Sequence, residues 1–208
     1  MTLDEALAEC PVVAIARGIR PDEVVAHAKA MYGAGLRAIE VPLNSPEPLE
    51  SIAALSEAFG DRMICGAGTV LRPSQVDDVA SRGGRIIVSP NTSPAVIRRT
   101  VELGLDPAPG FATPSEAFQA LEAGTRHLKL FPAITYGERF VTQLRAVLPP
   151  EAVIWAVGGV GPASMESWWR AGVRAFGLGG ELYKAGQSVE VTQEKAAAAV
   201  AAIKSLTD

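Results

Sequence analysis

One lysine of this chain stands where a charged side chain is unfavourable. Lys129 lies in the stretch His127-Leu128-Lys129-Leu130-Phe131-Pro132, which is typical of a short β-strand closed by a proline. Burial in a strand lowers the pKa of a lysine, and the neutral amine that results is the form that attacks carbonyl carbons. Taken alone, Lys129 is more simply a strand-edge residue whose ammonium group reaches water, so the choice depends on its neighbours.

Composition excludes several classes of function. The net charge is −4 and the cations form no cluster, so we expect no nucleic-acid partner. No apolar run is long enough to span a membrane, and the acidic first ten residues are unlike a signal peptide, so we expect a cytoplasmic protein. Cys10 and Cys65 are isolated and are expected to be small buried residues, and no set of side chains has metal-site spacing.

The elements that must position Lys129 alternate regularly along the chain. Apolar runs of strand length precede amphipathic runs of helix length, a pattern typical of a parallel sheet covered by helices. The predicted strands are 12–16, 36–41, 63–65, 85–89, 105–107, 127–132, 153–157 and 174–178. Helices are predicted near 3–9, 20–35, 45–60, 73–81, 93–103, from 113, and at 137–147, 161–171 and 191–205.

Eight such units predict one domain, residues 1–208, folded as a (β/α)8 barrel with a short N-terminal helix. The main alternative is an open doubly wound sheet, which would normally carry one glycine fingerprint after an early strand. No such fingerprint is present here.

In a barrel, chemistry takes place where the strands end. Polar or conformationally special residues occupy these ends, and we predict the site from them: Arg17, Glu40, Thr69, Pro90, Lys129, Phe131, Val157, Gly158, Gly159, Gly179 and Gly180. Alternatives for single residues stay open: Arg17 could be a surface cation, and Glu40 could form a structural ion pair with Arg17 or Lys129. Of the two histidines, we expect His27 on a helix surface and leave His127 open, and we expect the three tryptophans to be packing residues.

Together these residues indicate a class I aldolase acting on a phosphorylated 2-keto acid. The amine of Lys129 would form a Schiff base with the ketone, so no cofactor is needed. Glu40, its pKa raised by an apolar strand, would move protons. Arg17 and Thr69 would hold the carboxylate, and the glycine pairs after the last two strands would hold the phosphate through backbone N–H groups.

The motifs resemble those of the 2-keto-3-deoxy-6-phosphogluconate and 2-keto-3-deoxy-6-phosphogalactonate aldolases over nearly the whole chain. The matching segments are 17–19, 39–45, 66–70, 89–91, 109–110, 128–132, 157–160 and 177–179. The resemblance implies a homotrimeric barrel, a Schiff-base lysine at Lys129 and Glu40 as the general acid and base. It also implies contacts to the pyruvate carboxylate around Thr69 and Arg17.

Two positions are similar to the galactonate branch of this family. Asn44 stands where the gluconate branch usually has an arginine, and Val157 stands where it usually has a threonine. Arg17 would then bind the carboxylate, and Val157 removes a hydrogen bond to a substrate hydroxyl. Gly180 departs from the galactonate branch, which often has a serine there, so phosphate binding would depend more on backbone amides.

The resemblance thus implies cleavage of 2-dehydro-3-deoxy-6-phosphogalactonate to pyruvate and D-glyceraldehyde 3-phosphate. One alternative is the same reaction on the gluconate epimer or on 4-hydroxy-2-oxoglutarate. More distant alternatives are a phosphate-binding barrel isomerase with Glu40 as base, and a barrel that binds sugar phosphates without catalysis.

Overall fold

The protein folds around one sheet of parallel strands. The structure, a computed structural model, describes residues 1–207. The strands are β1 (Val12–Ile15), β2 (Ala38–Pro42), β3 (Ile64–Gly68), β4 (Ile86–Val88), β5 (Asp106–Ala108), β6 (Gly110–Phe111), β7 (His127–Leu130), β8 (Val153–Val157) and β9 (Ala175–Leu178). Their order in the sheet is β5-β4-β3-β2-β1-β9-β8-β7-β6, and every pairing is parallel.

The two outer strands of this order, β5 and β6, are halves of one extended segment. They flank Pro109, which has no N–H to donate. The carbonyl of Ala108 accepts from the amide of Ser89, at 3.3 Å, whereas the carbonyl of Pro109 accepts from the amide of Lys129, at 2.9 Å. The segment therefore joins both ends of the sheet into a nearly closed barrel. The predicted barrel is confirmed, with its fifth strand split at a proline.

Nine helices surround or cap the barrel within residues 1–207. They are α1 (Leu3–Glu9), α2 (Pro21–Ala34), α3 (Pro48–Phe59), α4 (Pro73–Ser81), α5 (Pro94–Glu102), α6 (Pro114–Glu122), α7 (Ala133–Arg145), α8 (Met165–Ala171) and α9 (Val189–Thr207). Five of them begin with proline, which suits a first turn because its missing N–H would have no partner there.

Three helices start three or four residues away from the predicted position. α8 begins at Met165 instead of residue 161, because a 3-10 turn occupies Pro162–Ser164. α3 begins at Pro48 instead of residues 45–46, because the hydroxyl of Ser45 accepts from the amide of Gly18 at 3.0 Å and Glu47 takes a left-handed conformation, φ 40°. α7 begins at Ala133 instead of residue 137, and Gly137, with φ 73°, interrupts it.

The amino end of the barrel is plugged by α1, which leaves chemistry to the other end. Leu3, Ala6 and Leu7 of this helix pack with the side chains that point into the barrel. The amide of Leu3 donates to Asp106, at the start of β5, at 3.1 Å. A second, larger apolar cluster lies between the strands and the outer helices.

His127 belongs to this plugged end. Trp155 donates from Nε1 to Nδ1 of His127 at 3.3 Å, so the proton of the neutral ring lies on Nε2, which faces Asp4 at 3.1 Å. Burial is the main cause that lowers the pKa of His127, to about 4. Both ring nitrogens are used, so His127 is a structural residue remote from the open end.

The expectation that His27 is exposed is wrong. His27 lies on the face of α2 that packs against α9, and only 2% of it is exposed. Its Nδ1 hydrogen-bonds the hydroxyl of Thr192 at 2.7 Å, and its ring meets that of Tyr183 edge to face. The other packing predictions are confirmed: Cys10, Cys65, Trp155 and Trp168 are buried, and Trp169 packs against the core while half-buried.

Candidate active site

Lys129 and Glu40 line one cavity inside the barrel. It is narrow, and its other walls are apolar: Val13, Ile15, Val88, Trp155, Val157 and Gly177. Lys129, from β7, is 6% exposed, and Glu40, from β2, is 2% exposed. Within residues 1–207, Glu40 forms no ion pair shorter than 4 Å. The structure therefore does not contain the alternative, a structural salt bridge of Glu40 with Arg17 or Lys129.

The apolar walls change the protonation of both groups. Burial raises the pKa of Glu40 to about 7, although the charges of Lys129 and Arg17 oppose this shift. Burial also lowers the pKa of Lys129; Glu40 opposes that shift and Arg17 adds to it. Oε2 of Glu40 has no hydrogen-bond partner among the described residues. A carboxyl group whose pKa is raised to about 7 therefore shares a cavity with an amine whose pKa is lowered.

Gly68 makes room for the carboxyl group of Glu40. A Cβ built on Gly68, at the end of β3, would lie 1.8 Å from Oε2 of Glu40 and 2.3 Å from its Cδ. Any other residue would displace that carboxyl group. The sequence alone does not reveal this role of Gly68, because the approach of β2 and β3 cannot be seen in one strand.

Arg17 stands at the open end of the barrel, after β1. Its Nη1 donates to Oδ1 of Asn44, from the loop after β2, at 2.6 Å. The adjacent bond from Gly18 to Ser45 ties the same two loops. Asn44 therefore fixes a guanidinium group whose other donors make no hydrogen bond within residues 1–207 and can meet a carboxylate.

A second cavity, of about 420 Å³, forms the mouth above the first. The two cavities share Ile15, Val157 and Gly177, so they adjoin each other. The residues that line the mouth are Ile15, Arg17, Phe131, Val157, Gly158, Gly159, Val160, Gly177, Gly179, Gly180 and Glu181. The ring of Phe131 lies 4.8 Å from Nζ of Lys129 and thus connects the mouth with the lysine.

Nine of the eleven predicted site residues line these two cavities, and two do not. Thr69 is half-buried at the end of β3 with φ 58°, a strained conformation for a β-branched residue. Pro90 follows β4, and its carbonyl lies against Gly110, where a Cβ would come within 2.2 Å. Both residues stand at the open end of the barrel, beside the cavities and outside their walls.

Sequence reasoning missed Glu181, an exposed carboxylate in the mouth. It directly follows Gly179 and Gly180, two predicted site residues, so its position in the chain could have identified it. Within residues 1–207, no three or more histidine, cysteine, aspartate or glutamate side chains are grouped as a metal site would require. No helix in the same range has the length and apolar character needed to cross a membrane.

The comparisons with known proteins agree with the motifs. The family described as KDPG and KHG aldolase matches residues 3–204. The 2-dehydro-3-deoxy-6-phosphogalactonate aldolase of Escherichia coli (strain K12) is 50% identical over 194 residues, which are 93% of this chain and 95% of the relative. A probable 2-dehydro-3-deoxy-6-phosphogalactonate aldolase of Rhizobium meliloti (strain 1021) is 44% identical over 194 residues, 93% of this chain and 92% of the relative.

A solved structure described as native KDPGal superposes with a TM-score of 0.94 at 49% identity, and covers 96% of this chain and 97% of that chain. The resemblance predicted from the sequence motifs is thereby confirmed. The chain belongs to the family of KDPG and KHG aldolases, and it is an enzyme of the aldolase class.

Proposed function

We propose that this protein is a class I aldolase that cleaves 2-dehydro-3-deoxy-6-phosphogalactonate to pyruvate and D-glyceraldehyde 3-phosphate. The observation that carries the proposal is the apolar cavity shared by Lys129 and Glu40. The lysine supplies the covalent chemistry, so the reaction needs no cofactor.

The first half of the reaction forms the Schiff base. The neutral amine of Lys129 attacks the C2 ketone. The ketone oxygen takes one proton from the amine nitrogen and one from protonated Glu40, and it leaves as water. The product is an iminium linked to Lys129. The pKa of Glu40, about 7, suits this step because the protonated form is well populated near neutral pH.

The second half breaks the carbon–carbon bond. The carboxylate of Glu40 accepts the proton of the C4 hydroxyl, the C3–C4 bond breaks, and its electron pair moves into the iminium to give an enamine. The aldehyde leaves. Glu40 then returns a proton to C3, and water hydrolyses the resulting iminium to pyruvate and the neutral amine of Lys129. The carboxylate of Glu40 takes up the proton that this hydrolysis releases. Glu40 ends in its starting state.

The two ends of the substrate need separate binding groups. Arg17, which Asn44 holds in place, is the group that we expect to bind the carboxylate. The glycine pairs at residues 158–159 and 179–180 line the mouth, which supports a phosphate subsite there. Thr69 has a strained backbone conformation, which is typical of functional sites. We expect it to contact the carboxylate at the edge of the cavity.

The choice of the galactonate epimer rests on Val157 and on the relatives. Val157 lines both cavities, and its isopropyl group offers no hydrogen bond to a C4 hydroxyl. The two relatives described above carry the galactonate name. By the same family likeness, we propose a homotrimer that acts in the cytoplasm.

The test compares kcat/KM for the two C4 epimers, with pyruvate release as the readout. We expect cleavage of both to require Lys129 and the galactonate compound to be preferred. Val157→Thr should shift the ratio toward the gluconate epimer. A preference of the native enzyme for the gluconate epimer or for 4-hydroxy-2-oxoglutarate would contradict the substrate, and turnover that survives Lys129→Ala would contradict the mechanism.

A further inference from the structure

A lysine outside the two cavities holds the turn that would meet the phosphate. Lys195, on α9, is half-buried behind the turn that starts at Gly179. Its Nζ donates to the carbonyl of Gly180 at 3.3 Å and to Oε1 of Gln187 at 3.2 Å. Within residues 1–207, no side chain from the cavity side of the turn donates a hydrogen bond to the carbonyl of Gly180.

Holding this carbonyl fixes the direction of the next amide. The peptide between Gly180 and Glu181 is trans and planar, so its C=O and N–H point in opposite directions. Because Lys195 draws the carbonyl toward α9, the N–H of Glu181 points away from α9. Gly179, Gly180 and Glu181 line the mouth, so this amide can face it. Neither the Gly180 amide nor the Glu181 amide donates a hydrogen bond to another described residue.

The same turn is fastened from behind by Gln187. Its Nε2 donates to the carbonyl of Leu182 at 2.9 Å and to the hydroxyl of Thr192 at 2.7 Å. Its Oε1 accepts from the amide of Lys184 at 3.1 Å as well as from Lys195. The position of Lys195 is therefore defined by two partners, and its charge polarises the Gly180 peptide, which makes the Glu181 N–H a stronger donor.

We propose that Lys195 is a positioning residue for the phosphate of the substrate, acting through the Gly180–Glu181 peptide without touching the ligand. This inference rests on the proposed function, since it concerns the phosphate subsite of that reaction.

Two other charges lie near the turn and must be separated from this effect. A Cβ built on Gly180 would lie 3.7 Å from Cε of Lys184, an exposed residue. The side chain of Glu181 turns toward Gly161, where its Oε2 would lie 3.4 Å from a built Cβ. Lys184→Met also removes a lysine charge near this turn, but it breaks no hydrogen bond to Gly180. It is therefore the matched control.

The experiment measures aldol addition of pyruvate to D-glyceraldehyde 3-phosphate and to unphosphorylated D-glyceraldehyde. Lys195→Met keeps the aliphatic stem but removes the donor. We expect it to raise KM for the phosphorylated aldehyde about tenfold, equivalent to about 1.4 kcal/mol. KM for unphosphorylated glyceraldehyde should stay within about twofold of native, Lys184→Met should lack the selective effect, and Lys195→Arg should restore most of the native KM.

Equal losses on both aldehydes, or no loss on either, would overturn the role of Lys195 while leaving the proposed function in place. The same holds if Lys184→Met reproduces the selective effect. The midpoint of thermal unfolding of each variant shows whether an equal loss comes from a damaged fold. Failure of the native enzyme to join pyruvate to either aldehyde would instead overturn the proposed function, and the inference with it.

Discussion

Gly68→Ala tests whether the carboxyl group of Glu40 must stay where the barrel holds it. The added methyl group would lie 1.8 Å from Oε2 of Glu40, whereas real contacts of this kind are essentially never shorter than 3.0 Å. Either the carboxyl group or the end of β3 has to move by more than about 1 Å, and a misplacement of about 1 Å lowers a rate about 100-fold.

The expected loss in kcat is therefore about 100-fold, which corresponds to about 2.7 kcal/mol of activation free energy. Complete removal of a general acid or base lowers rates about 100-fold to 10,000-fold, so Glu40→Gln should lose at least as much as Gly68→Ala. Overpacking of a buried position also lowers the free energy of unfolding, by about 1–3 kcal/mol.

The assay is release of pyruvate from the substrate, with the free energy of unfolding measured in parallel. Gly33→Ala is the control, because Gly33 lies in α2 with nothing within 4 Å of a built Cβ. We expect that change to leave kcat unaltered and to stabilise the protein by up to about 1 kcal/mol. In the double variant Gly68→Ala/Glu40→Gln, the two losses should not add, because both act through one carboxyl group.

A Gly68→Ala enzyme with kcat within about twofold of native would refute this reasoning. So would fully additive losses in the double variant, which would mean that Gly68 acts independently of Glu40.

Three further predictions follow from single contacts. Asn44→Ala releases Arg17 and should raise KM for pyruvate in aldol addition about fivefold with little change in stability; an unchanged KM would exclude Arg17 from carboxylate binding. Glu181→Gln removes an anion from the mouth and should lower KM for the phosphorylated substrate about twofold, more at low salt; a higher KM would show that this carboxylate assists binding. The pKa of His127, about 4, lies below the usual 6.5, so its contribution to stability is complete above pH 6.5 and is lost as the pH falls toward 4. Urea unfolding should show a loss of about 2 kcal/mol between pH 7 and pH 5 that is smaller in His127→Gln; an equal loss in that variant would assign it to other groups.

The barrel could be predicted because its strands are buried on both faces. Each strand is then a continuous apolar run, and the helices between them show amphipathic patterns that the sequence displays directly. Of the five helices that begin with proline, four start within one residue of the predicted position, and α3 is the exception. The missed details come from contacts between distant segments. Ser45 is kept out of α3 by the amide of Gly18, and His27 is buried by α9, more than 160 residues away.

Prediction of the candidate site depended on residues that are unfavourable in their surroundings. A lysine and a glutamate inside apolar strands need a reason to be there, so Lys129 and Glu40 were identifiable from sequence. Gly68 and Lys195 were not, since their roles depend on one close approach and one hydrogen bond across loops. Glycine in a turn and lysine on a surface helix are too common for these two residues to be identified from sequence alone.

The most direct test of the central claim is borohydride reduction of the protein in the presence of pyruvate, followed by peptide mapping by mass spectrometry. We predict one stable pyruvyl adduct, located on Lys129, and its absence from a folded Lys129→Ala variant. An adduct on another lysine, or no adduct on the native protein, would contradict Schiff-base catalysis at Lys129.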